Sequence, residues 1–220
     1  MSASHDLFLK FECTTESQFE DLPLILVVGR EPNNPNPFND QIGDYPLKAM
    51  EYQPGKKKRT VAFWDQSYGT VGKTAGLDCA GLKTLAREKH VSPIVFTDVM
   101  PTPAEYKPGS RVPRETREAT DENEIGKHHQ AIFAKDDIIK RVKLVILAGH
   151  RHGSFSARER KLLGKASDSF KSHCDSRGIL FVETKSMFGN NQPWNLEKIK
   201  ASNDAVYQIN DAVNALKNIA

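Results

Sequence analysis

Four short apolar runs, separated by stretches of helical periodicity, constrain what this chain can fold into more than any other feature. The first, Pro23-Leu-Ile-Leu-Val-Val-Gly29, is almost continuously β-prone and closes on glycine, the pattern of a strand buried on both faces. Residues 92–97, 143–149 and 178–183 have the same character. Each of these three follows a candidate helix. Residues 75–89 carry Leu77, Leu82, Leu85 and Ala86; 125–142 carry Ile132, Phe133, Ile138 and Ile139; 157–175 carry Leu162, Leu163 and Phe170. A last helix, 196–218, carries Ile199, Ala205, Val206, Ile209, Val213 and Leu216. Such spacings give one buried stripe per helix.

Helices between buried strands imply right-handed β-α-β crossovers and a sheet covered on both faces. The expected fold is therefore α/β, a three-layer α/β/α sandwich around a central, mostly parallel sheet of about four strands. Residues 60–64 read as an additional extended piece at a sheet edge. Residues 30–59, rich in Pro and Asn, and 101–124, basic and then acidic, read as long loops, and connections of that length inside a compact domain are usually functional. The acidic stretch 115–124 reads as a solvated loop leading into the next helix. With no internal repeat and no boundary signal, residues 1–220 read as one domain.

The apolar runs fall well short of the ~20 residues that cross a bilayer, so no membrane span is expected. The opening Met1-Ser-Ala-Ser-His-Asp lacks the basic and apolar regions of a secretory signal, which makes a cytoplasmic location the expectation. Cys13, Cys79 and Cys174 are odd in number, widely spaced and without a C-x-x-C pair, so neither a disulfide framework nor a zinc site is signalled. A net charge of +3 permits a nucleic-acid partner without requiring one. Basic residues gather at Lys56-Lys57-Lys58-Arg59, at Lys107 with Arg111 and Arg114, and over 151–161; each cluster is either a solvated surface or a phosphate contact.

In open α/β sheets the ligand sits outside the carboxyl ends of the strands. The segments that leave those ends are 30–39, 98–103, 150–156 and 184–191. The first begins Gly29-Arg30-Glu31-Pro32-Asn33, and here the sequence resembles the uracil-DNA glycosylase superfamily, whose first motif follows the first parallel strand as G-x-D-P-Y, G-x-N-P-G or G-x-x-P-G. Glycine permits a sharp turn, the acid can orient a water, and proline fixes the loop. The exit of the second strand, Thr97-Asp98-Val99-Met100-Pro101-Thr102-Pro103, is similar to the T-N-x-V-x-x-x-P stretch of that superfamily, with Asp98 where the asparagine reads the base edge. An ionised aspartate only accepts hydrogen bonds, so Asp98 suits a base with an exocyclic amino group better than uracil.

The superfamily's H-P-S motif falls on Thr184-Lys185-Ser186, followed by Met187-Phe188-Gly189. Serine is matched and histidine is not. A competing match, His152-Gly153-Ser154-Phe155-Ser156, follows the third strand instead of the fourth. What the resemblance implies is hydrolysis of the N-glycosidic bond of a damaged or modified base in DNA, without metal or organic cofactor. Glu31 would position water or stabilise charge on the sugar, Asp98 would read the base, and Lys185 with Ser186 would hold the leaving base or a phosphate. Gly29, Arg30, Pro32, Asn33, Thr184, Met187, His152 and Ser154 would line the base or DNA site. A flipped base needs an aromatic floor, for which Phe63 and Trp64, with Phe38 and Tyr45, are the candidates. The unmatched histidine leaves open a catalytically silent relative that binds nucleic acid or a nucleotide, and an unrelated α/β enzyme of small phosphorylated molecules is a third reading.

Other motifs carry less. Gly69-Thr70-Val71-Gly72-Lys73-Thr74 precedes a candidate helix as a phosphate loop would, but Ser67 stands where G-x-x-x-x-G-K-[ST] needs glycine. His128-His129 and His150-x-His152 lack a third metal ligand at suitable spacing and read as structural histidines. No G-x-S-x-G elbow signals a serine nucleophile.

Overall fold

The computed structural model describes residues 8, 14, 16–29, 61–78, 80–101, 119–148, 156–184 and 199–219, with the side chains of 61–66 excepted. Four strands form its sheet: β1 (Leu24–Gly29), β2 (Ile94–Asp98), β3 (Val142–Ala148) and β4 (Leu180–Thr184). All neighbours are parallel, in the order β2-β1-β3-β4. Every residue of β1 is buried. Since successive side chains of a strand point to opposite faces, both faces of the sheet must be covered.

The covering comes from two groups of helices. Helices α1 (Val61–Thr74), α2 (Gly81–Lys89) and α6 (Asn203–Asn218) pack together, and α6 also lies against β1, β3 and β4. Helix α3 (Glu122–Phe133) packs on α5 (Ala157–Asp175), which lies against β4, while α4 (Asp136–Ile139) is a single turn beside α3. The expected α/β sandwich is thus present, and its sheet is wholly parallel. Among the described residues no helix is long and apolar enough to cross a membrane.

Local chemistry explains where the helices begin and end. Both α3 and α5 open with a capping box: the Asp121 carboxylate accepts from Glu124 N–H and the Ser156 hydroxyl from Glu159 N–H, while each glutamate accepts from the backbone N–H of its cap residue. Helix α5 closes where Gly178 turns left-handed at φ 65°, letting Ile179 N–H donate to Cys174 O at 3.0 Å. Helix α2 closes on His90, also left-handed, at φ 53°. A side chain with a Cβ is strained there, so His90→Gly is expected to stabilise the fold by roughly 1 kcal/mol. A higher denaturant midpoint at unchanged slope is the readout.

Several sequence expectations are corrected here. The edge strand expected over 60–64 is overturned at 61–64: Val61 to Trp64 are the first turn of a 14-residue helix, and Thr60 lies outside the described residues. β-Branched and aromatic residues read as strand, but Ser67, Tyr68, Thr70 and Val71 form a buried helical stripe, and packing on α2 and α6 overrides the weaker local preference. The glycine-rich stretch at 69–74 lies inside this helix and precedes no helix start. A Cβ at Gly72 would stand 3.3 Å from both Asp78 O and Leu82 Cβ, so this glycine permits close helix packing and cradles no phosphate. The helix expected over 125–142 is two, α3 and α4, because Lys135 breaks the helical backbone at ψ 77°, and Val142 already belongs to β3. The acidic stretch is helical from Glu122 onward.

Candidate functional site at the carboxyl rim of the sheet

The strand order makes a topological switch point between β1 and β3: the chain passes from β1 outward to β2, then from β3 outward to β4. Loops leaving adjacent strands in opposite directions open a crevice at the carboxyl ends. The row of residues at that rim can be read from the register. Asp98 pairs with Gly29, Val28 lies opposite Leu147 at the preceding level, and Ala148 pairs with Thr184. Asp98 and Thr184 thus end the two outer strands, and three strand spacings of ~4.8 Å separate their chains.

At one end of this row Asp98 and Gly29 are fitted to each other. A Cβ at position 29 would overlap Asp98 Oδ1, and Asp98 Cγ would lie 3.4 Å away. The carboxylate therefore lies in the space that only a glycine leaves open. The sequence assigned Gly29 to a sharp turn; among the described glycines the positive φ values belong to Gly76 and Gly178 instead, so the reason for Gly29 is this close approach. Beneath the carboxylate, Val99 N–H donates to Gly29 O at 3.0 Å and extends the strand pairing by one bond. Gly29→Ala is expected to destabilise the fold by about 1–3 kcal/mol through overpacking, and adding Asp98→Ala should return part of that loss. Chemical denaturation of the two single variants and the double variant measures the coupling.

The same strand end is held from outside by two consecutive histidines of α3. His128 Nε2 lies 2.9 Å from Asp98 O and His129 Nε2 lies 2.8 Å from Val99 O. A carbonyl only accepts, so both Nε2 atoms carry the proton. His129 Nδ1 then accepts from the Ser169 hydroxyl at 3.0 Å, which fixes a neutral ring with both nitrogens engaged. Burial pushes the His129 pKa down to about 4, against the opposing pull of the Val99 carbonyl and with the help of His128 and His173. Burial also lowers His128, opposed by its bond to the Asp98 carbonyl, and His173, where Arg177 adds to the effect.

At the opposite end of the row, Thr184 is buried and its hydroxyl donates to Leu147 O at 3.3 Å. That bond turns Thr184 into the sheet. Glu159 is a buried carboxylate in the first turn of α5, its Oε2 accepting from Ser156 N–H at 2.8 Å. Helices α3 and α5 run side by side in the same direction, as Glu122 at the start of α3 pairs with Lys165 in the middle of α5 and Phe133 at the end of α3 stacks on His173 near the end of α5. Both helix N-termini consequently lie on the carboxyl side of the sheet.

Of the residues singled out from sequence, the structure brings Gly29 and Asp98 together and sets Thr184 at the far end of the same rim. Phe63 and Trp64 fall in the first turn of α1, not in a loop. Arg30, Glu31, Pro32, Asn33, His152, Ser154, Lys185, Ser186 and Met187 lie outside the described residues, as do Phe38 and Tyr45. The histidine pair and Glu159 are the groups that sequence reasoning did not place at the rim. Their signals were present: Glu159 closes an S-x-x-E capping box, and two adjacent histidines on a helix that leads toward a strand can meet consecutive carbonyls. Among the described residues no three of His, Cys, Asp and Glu are grouped as metal ligands would be. No protein-family model, curated protein or solved structure matches the chain.

Proposed function

We propose that this protein is a DNA glycosylase-like hydrolase that cleaves the N-glycosidic bond of a damaged or modified base. The observation that carries the reading is the seating of the Asp98 carboxylate over Gly29 at the carboxyl rim. The first-motif glycine and the base-reading position, distant in sequence, are side by side where an α/β sheet takes its ligand. In this reading a base leaves the stack and enters the crevice, at an unstacking cost of a few kcal/mol that contacts in the pocket offset. Asp98 accepts from an exocyclic amino group, Glu31 orients the attacking water, and Lys185 with Ser186 stabilises the departing base.

Incubating the protein with duplexes that carry assorted modified bases, then probing for abasic sites, tests this. Excision is expected at a base that offers an amino group, with Asp98→Asn shifting the preference among bases by at least about tenfold. The reading fails if no duplex acquires abasic sites. A second reading, a catalytically silent relative, is favoured by Thr184 standing where the resemblance calls for histidine. DNA affinity that falls steeply with salt, without abasic sites, would select it.

A further inference from the structure

We propose that His128 and His129 are positioning residues that latch the carboxyl end of β2 to helix α3, and that the latch holds only while the His129 ring is neutral. Its relevance to base reading by Asp98 rests on the proposed function; the latch itself does not. Strand β2 ends at Asp98, and the next two carbonyls along the chain, of Asp98 and Val99, are both taken by side chains of one helix. Consecutive carbonyls of an extended strand point in opposite directions. Here both reach α3, so the backbone leaves strand geometry at the residue whose carboxylate sits over Gly29. The histidines hold that bend, and through it the aim of Asp98.

The surroundings of His129 show why protonation would open the latch. His129 is fully buried, with the Phe170 ring edge-on at 5.1 Å. From its own helix His128 faces it at 6.0 Å, and from α5 His173 faces it at 6.2 Å. Behind His173, Arg177 lies 5.1 Å over the Phe133 ring that His173 stacks on. From the sheet, Asp98 contributes its carbonyl to His128 and directs its carboxylate toward Gly29. A proton on His129 Nδ1 would turn the Ser169 hydroxyl from donor to acceptor and place a charge among two imidazoles and a guanidinium. Moving α3 away from the strand end lets water solvate that charge.

The size of the effect follows from linkage. The opened ring titrates at its ordinary 6.5 and the latched ring at about 4, so opening should become about thirtyfold more populated between pH 7.5 and pH 5. Amide hydrogen exchange on the full chain, corrected for the intrinsic pH dependence, reads this at Val99, whose N–H bonds Gly29 O only while the strand end is closed. The expected result is a loss of protection of that size at Val99, with Val99 less protected at both pH values than the β1 amides of Ile25 to Val28, which open only on global unfolding. In His129→Gln, which keeps a donor for Val99 O and cannot be protonated, the Val99 response should be flat. Should that variant fail to fold, nuclear magnetic resonance titration of the wild-type imidazoles serves instead, with His129 and the Val99 amide expected to respond together. Unchanged protection of Val99 between the two pH values, Val99 protection no lower than that of the β1 amides, a persistent slope at Val99 in His129→Gln, or a His129 titration to which Val99 is silent would each overturn the latch. None of these readouts uses base excision, so the latch and the proposed activity can fail independently.

Discussion

Phe170→Ala is expected to destabilise the protein by about 3–5 kcal/mol, among the largest losses a single substitution causes. Phe170 is fully buried on α5 and meets Phe133 of α3 ring to ring at 4.9 Å and His129 edge-on at 5.1 Å. Truncation removes the transfer free energy of the ring and leaves a cavity whose walls are two helices already fixed by capping boxes at their starts. A denaturant midpoint that falls at constant slope is the expected signature. A second consequence distinguishes this site from other core positions. Water admitted beside His129 would relieve its desolvation, so its pKa should rise from about 4 toward the ordinary 6.5. A loss under about 2 kcal/mol would mean that the α3–α5 seam closes over the gap.

The second large effect is on stability against pH. The folded-state pKa of His129 lies below its unfolded value, so between the two values the unfolded chain binds more protons than the folded one. Stability is therefore full above pH 6.5, erodes as pH falls through the window from 6.5 to about 4, and levels off below it as far as this group is concerned. Across that window, at ~1.4 kcal/mol for each pH unit, the loss comes to roughly 3 kcal/mol. His128 and His173 are lowered as well and act in the same direction. Denaturation curves at a series of pH values check this, and His129→Gln should flatten most of the slope. A wild-type stability constant from about pH 7 to about pH 4.5 would contradict the assignment of His129 as a buried neutral ring.

How much of this was legible in the sequence depends on the kind of signal. The strands stood out because residues buried on both faces leave a continuous apolar run, as in Leu24 to Val28, and their bounds shifted by two residues at most. Helix α5 was read at its true limits from the stripe of Leu162, Leu163 and Phe170, and the structure bounds it with the Ser156–Glu159 capping box and Gly178. Helix α1 was misread because Val61, Phe63 and Trp64 favour strands locally while the decisive apolar contacts come later in the helix. At the rim, Gly29 and Asp98 were both singled out, yet their mutual fit belongs to strand pairing and has no trace in either local motif. The roles of His128 and His129 were equally hidden, since a hydrogen bond to a distant carbonyl depends on where the helix docks.

The strand order has a kinetic consequence. No two neighbouring strands follow each other through a hairpin: Ile25 finds its partners at Ile94 and Leu144, so each pairing in the sheet closes a long loop. The loop entropy must be overcome before any pairing stabilises the product, which places such a topology among slow folders. Until then β1, the most apolar segment of the chain, waits unpaired between partners that are synthesised after it. Refolding yield should accordingly fall as protein concentration rises, because a second chain can reach that waiting strand sooner than its own distant neighbours do.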